Sequence, residues 1–64
     1  MTTYVIQRPS TGLYLKALFI QDMDKSFTAE TPDEALPCNT SMMAECTATS
    51  LSLMFNEDIT WEEV

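Results

Sequence analysis

The sequence predicts a small α+β fold of two layers: an antiparallel sheet of three to four strands with one helix, kinked or broken at Pro37, packed on one face, in the order β-β-(β)-α-β-(β). Three observations carry this expectation. The first 20 residues hold two β-rich apolar runs separated by a Pro-Ser-Thr-Gly turn, "TPDE" carries helix-start signals, and "ATSLSLMFN" alternates apolar and polar residues. At 64 residues with 45% hydrophobic composition, one Gly and three Pro, the chain is expected to form one domain, residues 1–64. It lies near the lower size at which a single core suffices, so most large apolar side chains should be needed inside.

"TYVIQR" (3–8) reads as the first strand, ending at Pro9, and "PSTG" (9–12) supplies the turn. "LYLKALFI" (13–20) follows as the second strand, with Leu13, Leu15, Ala17 and Phe19 on an all-apolar face expected to meet the core. "QDMDKS" breaks the pattern, and "FTAE" (27–30) fits a short third strand. Thr31, Pro32 and Glu34 then fit the cap, first helical position and capping-box glutamate of a helix. Pro37 removes a backbone donor and clashes with the preceding turn, so that helix kinks, or breaks and restarts at Asn39 or Thr40. A stripe of Ala35, Cys38 or Asn39, Met42 and Cys46, with Leu36 and Met43 beside it, is expected to pack on the sheet. Ala48 to Asn56 reads as a half-buried strand with Leu51, Leu53 and Phe55 on one face, and "ITWEEV" as a last strand or a tail. The opposite sheet face, with Tyr4 or Val5, Tyr14, Leu18 and Ile20, is expected to show some apolar area.

The residue inventory disfavours catalysis. Without histidine the chain cannot build a Ser-His or Cys-His nucleophile pair, and one glycine cannot make a phosphate-cradling loop. Cys38 and Cys46 alone fall short of a zinc site and, eight residues apart, are expected to be free buried thiols. Asp22 and Asp24 resemble the opening of a calcium loop but lack its glycine and closing glutamate. Paired carboxylates could do acid–base work, yet so small a chain leaves little room for the pocket that would shift their pKa values. The expectation is a non-enzyme with no cofactor and no metal.

Charge is the informative feature. Ten Asp and Glu oppose three Lys and Arg, for a net charge of -7. Up to Lys25, Arg8, Lys16 and Lys25 face only Asp22 and Asp24; from Ser26 to Val64 there are eight carboxylates and no base. Such a field repels nucleic acid and speeds encounter with a cationic partner. Carboxylates two apart on a strand, or three to four apart on a helix, lie roughly 5–7 Å from one another, the order of the separation between successive phosphates. The candidate partner-binding surface is therefore Glu30, Asp33, Glu34, Glu45, Glu57, Asp58, Glu62 and Glu63, with Asp22, Asp24 and Trp61 secondary. Trp61 serves either the core or the contact. The N-terminal "MTTYVIQRPS" lacks the pattern of a secretory signal and no apolar run is long enough to span a membrane, so the expected location is the cytoplasm.

Tyr4-Val5-Ile6, the turn, Gly12-x-Tyr14-Leu15-Lys16, and Phe27 followed by Thr31, Glu34 and Ala35 together resemble small phage and mobile-element proteins of β-hairpin, helix, strand design. The likeness covers about half the chain, through residues of structural kind. Short and acidic as well, the chain looks like an anti-CRISPR protein, in particular those acting on a type I-C effector complex. That resemblance implies an inhibitor in the host bacterial cytoplasm, a monomer rather than a dimer. It would act as an acidic DNA mimic on the Lys- and Arg-lined surface of a Cascade-type complex, blocking target DNA binding. The alternative is a non-enzymatic phage adaptor or inhibitor gripping a host protein through an apolar sheet face and Trp61. Two features depart from the pattern: Pro37 interrupts the expected helix, and the N-terminal hairpin is not itself acidic.

Overall fold

A computed structural model describes residues 2–19 and 21–64. Strand β1 (Tyr4–Arg8) turns at Pro9–Gly12 into β2 (Leu13–Leu15), and a single helical turn, α1 (Met23–Ser26), leads into β3 (Phe27–Ala29). After a 3₁₀ turn at Pro32–Glu34 come the main helix α2 (Ser41–Phe55) and the strand β4 (Thr60–Glu63). The four strands form one antiparallel sheet in the order β3-β2-β1-β4, so β4 returns beside β1. The α+β class and the one-helix-on-sheet layering are as the sequence predicts.

Gly12 makes the first turn possible. Its φ of 75° is left-handed, where a Cβ is strained, and its N–H donates to the Arg8 carbonyl at 2.8 Å. The second strand is shorter than expected: of the 13–20 run only Leu13–Leu15 pairs, and Ile20 lies outside the described residues. Ser26 explains the early end. Its carbonyl accepts from Lys16 N–H, while its buried hydroxyl accepts from Phe19 N–H (2.9 Å) and lies within hydrogen-bond reach of the Phe19 and Asp22 carbonyls. One side chain thereby meets backbone groups of Phe19 and Asp22 that would otherwise need another partner. Phe19 is left exposed instead of joining the core, and Leu18 is exposed as well.

"TPDE" does not open the main helix. It closes after one 3₁₀ turn, and the Thr31 side chain makes no capping bond. Four residues separate Pro32 from Pro37, too few to offset the entropy of nucleating a helix, and Pro37 would clash with the turn before it. Leu36 to Cys38 instead wedges between the diverging ends of β1 and β2. Leu36 N–H donates to the Leu15 carbonyl (2.7 Å), while Tyr4 and Cys38 exchange two backbone bonds at 3.0 and 2.8 Å. Pro37, with no N–H, fits between those donors. The restart at Thr40 is as expected: its hydroxyl accepts from Met43 N–H at 3.1 Å and caps α2.

Helix α2 corrects the half-buried strand expected over Ala48 to Asn56. The face meeting the sheet is Ala44, Ala48 and Leu51, with Phe55 partly buried, spaced for a helix; the small alanines let the backbone approach closely. Leu53 is 80% exposed and Met42 73%, and Met43 and Cys46 also face outward, so the predicted stripe is offset by about two residues. Both thiols are free, Cys38 buried as expected, whereas Cys46 is exposed. Asn56, left-handed at φ 54°, ends the helix, and its N–H and that of Glu57 both donate to the Ser52 carbonyl.

Two apolar clusters result. On the α2 side Ile6, Leu15, Phe27, Cys38, Ala44, Ala48, Leu51 and Ile59 form the core, with Tyr4, Leu13, Met23 and Phe55 at its margin. On the other side Val5, Ala29 and Ala35 pack together with Tyr14 beside them, so the chain around Ala35 covers much of the face expected to lie open. Of the apolar patch predicted there, Val5 is buried, Tyr4 belongs to the α2 side, and Leu18 has left the sheet.

Candidate interaction surface

Arg8 decides which carboxylates remain available. At the end of β1 its Nε and Nη2 donate to Glu57 Oε2 (2.7 Å) and Oε1 (3.3 Å), a two-pronged pair, and its Nη1 donates to Asp24 Oδ1 (3.0 Å). Ser10 Oγ adds a bond to Glu57 Oε2 at 2.8 Å. Arg8 and Ser10 hold the Glu57 carboxyl below its ordinary pKa, and the two carboxylates, Glu57 foremost, raise that of the guanidinium. Glu57 and Asp24 thus join β1 to the α2–β4 turn and to α1; with two carboxylates on one guanidinium a net negative charge remains, and the Asp24 side chain is 87% exposed. Asp22 accepts from Lys25 N–H at 3.2 Å as the cap of α1.

The remaining predicted residues divide between the two faces. Glu30, Asp33 and Glu34 lie on the exposed turn after β3, where Glu34 Oε2 accepts from Glu30 N–H at 3.4 Å. Asp33 lines a shallow hollow with Val5, Ala35 and Val64, on the side of the sheet away from α2. Glu62 stands opposite Val5 in the β1–β4 ladder and therefore shares that side, its Oε1 accepting from the Tyr14 hydroxyl at 2.8 Å, a bond that raises the Tyr14 pKa. Glu30, Asp33, Glu34 and Glu62 make no ion pair with any described Lys or Arg.

Glu63 and Trp61 stand opposite Tyr4 and Ile6 and so face the α2 side. Trp61 is 37% exposed and meets Tyr4 edge-to-face at a centroid distance of 5.6 Å. With Leu53, Ile59 and Glu45 it lines an open groove of about 520 Å³ between α2 and β4. Asp58 is exposed in the loop after α2. The eight expected contact residues thus divide into Asp33 and Glu62 on the sheet side away from α2, Glu30 and Glu34 on the turn beside Asp33, Glu45 and Glu63 on the α2 side, the loop carboxylate Asp58, and Glu57, which is paired with Arg8. The groove beside β4 is not legible when residues 48–56 are taken as a strand; the helical spacing of Ala44, Ala48, Leu51 and Phe55 is the signal that points to it.

Among the described residues no three of Cys, Asp or Glu gather as a metal site, and no helix is long and apolar enough to cross a membrane. Comparison with protein-family models, with curated proteins and with solved structures finds no match.

Proposed function

We propose that this chain is a non-enzymatic inhibitor that works by protein binding. Its acidic sheet face occupies a Lys- and Arg-lined DNA-binding surface, with a Cascade-type CRISPR effector as the partner class that its anti-CRISPR resemblance suggests. The observation that carries this reading is that Asp33 and Glu62 lie on the side away from α2, with Glu30 and Glu34 on the exposed turn beside Asp33, and no described cation is paired to any of the four. Of the three bases, Arg8 is engaged with Glu57 and Asp24, Lys25 lies on α1 near Asp22, and Lys16, exposed just after β2, pairs with none of these four carboxylates. Carboxylates fixed on a folded surface meet a phosphate-binding groove without the ordering cost of a flexible acidic tail.

The test is displacement of labelled target DNA from the purified effector complex. Asp33→Lys with Glu34→Lys, both exposed, should abolish displacement while the circular-dichroism melt stays close to that of the parent. Displacement should also weaken steeply with added salt. Unchanged displacement by the double variant at every salt concentration defeats the electrostatic reading.

A second reading rests on the exposed apolar residues. Met42, Met43, Leu53 and Met54 lie outward on α2, and Trp61 borders the groove, as an adaptor gripping a host protein by apolar contact would require. The apolar surface belongs to the helix side, whereas the sequence placed it on the sheet. Binding insensitive to salt but lost in Trp61→Ala would favour this reading over the first.

A further inference from the structure

The outer edge of β4 is open. β4 ends the strand order, and its hydrogen-bonding phase follows from one bond: Val64 N–H donates to the Thr3 carbonyl at 2.8 Å. Thr3 and Val64 are therefore a hydrogen-bonded pair in an antiparallel ladder, and bonded pairs recur every second residue, at Val5–Glu62 and Gln7–Thr60. Trp61 and Glu63 fall between them. Their N–H and C=O groups point away from β1, as those of Tyr4 do on the other side, where they bond Cys38. The edge thus offers two backbone donors and two acceptors to an added strand.

The surroundings specify what such a strand carries. Trp61 and Glu63 side chains project toward α2, where the groove is lined by Leu53, Ile59 and Glu45; Glu62 projects to the opposite face. In an antiparallel addition, the residue opposite Trp61 bonds to it and projects into a groove whose apolar wall is Leu53, Ile59 and Trp61. The residue opposite Glu63 meets a carboxylate, and the one between them meets Glu62. Neither Glu63 nor Glu45 is paired with a described cation. A second copy of this chain is disfavoured as occupant, because it would bring two carboxylates of its own β4 against Glu62 and Glu63.

We propose that the β4 edge and the α2–β4 groove bind an extended segment of a partner protein by strand addition, the segment reading basic, basic, apolar along its length. This surface lies apart from the acidic turn at Glu30–Glu34 and shares only Glu62 with the carboxylates invoked above; strand addition at the β4 edge does not require the inhibitor reading. The edge supplies main-chain affinity, the groove selects the apolar residue, and the carboxylates select lysine or arginine.

The probe is an acetylated, amidated hexapeptide of threonines containing the run lysine, lysine, leucine, titrated into the isotope-labelled protein. Amide shifts are expected at Trp61 and Glu63, with slowed hydrogen exchange there and along Leu53 to Ile59. Methylating the peptide nitrogens of the first lysine and of the leucine, which meet Glu63 and Trp61, should weaken binding at least tenfold while leaving charge and protein unchanged. Glu63→Pro removes the outward-facing N–H together with the carboxylate and should weaken binding well beyond Glu63→Gln, which removes the charge alone, with the remaining spectrum in place. Binding of the methylated peptide within twofold of the parent overturns the proposal, since charge alone would then suffice. Shifts confined to Glu30–Glu34, or a dimer in sedimentation that closes the β4 edge without peptide, overturn it equally.

Discussion

Leu51 and Leu53 lie two residues apart, and a strand would place them on one face; α2 places them on opposite sides. Leu51 is 2% exposed and shares the core with Ile6 and Phe27, whereas Leu53 is 80% exposed. Leu51→Ala should therefore cost about 2–5 kcal/mol, the transfer term of a buried leucine plus the cavity left behind. Leu53→Ala should change stability by less than about 0.5 kcal/mol, alanine being if anything the better helix former. A domain of this size has a total stability of roughly 3–10 kcal/mol, so Leu51→Ala is expected to show as loss of the folded baseline. Leu51→Val, one methylene smaller, should cost about 1 kcal/mol and keep the transition measurable. Urea unfolding followed by Trp61 fluorescence gives the comparison, with a midpoint shift of about 1 M for Leu51→Val at a slope near 1 kcal/mol/M. A Leu53→Ala loss equal to that of Leu51→Ala would refute the helical placement and restore the strand.

Two further outcomes follow from capping and from charge. Thr40→Ala should lose about 1 kcal/mol through the Met43 N–H it leaves uncapped, a fall of roughly 4–8 °C in melting temperature, while Thr31→Ala, whose side chain caps nothing, should leave the melt nearly unchanged. Glu57 has a lowered pKa in the folded chain, so its contribution to stability is full above the unfolded carboxylate value of about 4.3 and is lost as pH falls through the folded value. Arg8→Gln should raise the Glu57 titration midpoint seen by carboxyl NMR and remove that acid-side loss; an unmoved midpoint would show that the pair does not form in solution.

The division of labour between sequence and fold is visible in particular segments. Tyr4–Arg8, the Gly12 turn, the short strand at Phe27 and the cap at Thr40 are local matters of propensity, a left-handed glycine and a hydroxyl within reach of a backbone N–H, and all were legible. So was the absence of bases after Lys25. The helix over residues 41–55 was not, because Met42, Met43, Leu53 and Met54 make its outer face as apolar as its inner one. That blurs the 3.6-residue period and leaves a stretch of alternation in view.

Chain composition by itself determined the size of the core, the sign of the field and the want of histidine chemistry. Only the tertiary structure decided which carboxylates are spent and which are free. Arg8 and Glu57 are 49 residues apart, and their pairing depends on β4 returning beside β1. The same return leaves β4 at the edge of the sheet, with Trp61 and Glu63 turned outward beside α2. Hydrogen-bond phase, burial and ion pairing are properties of distances between segments, and those distances exist only once the chain has closed on itself.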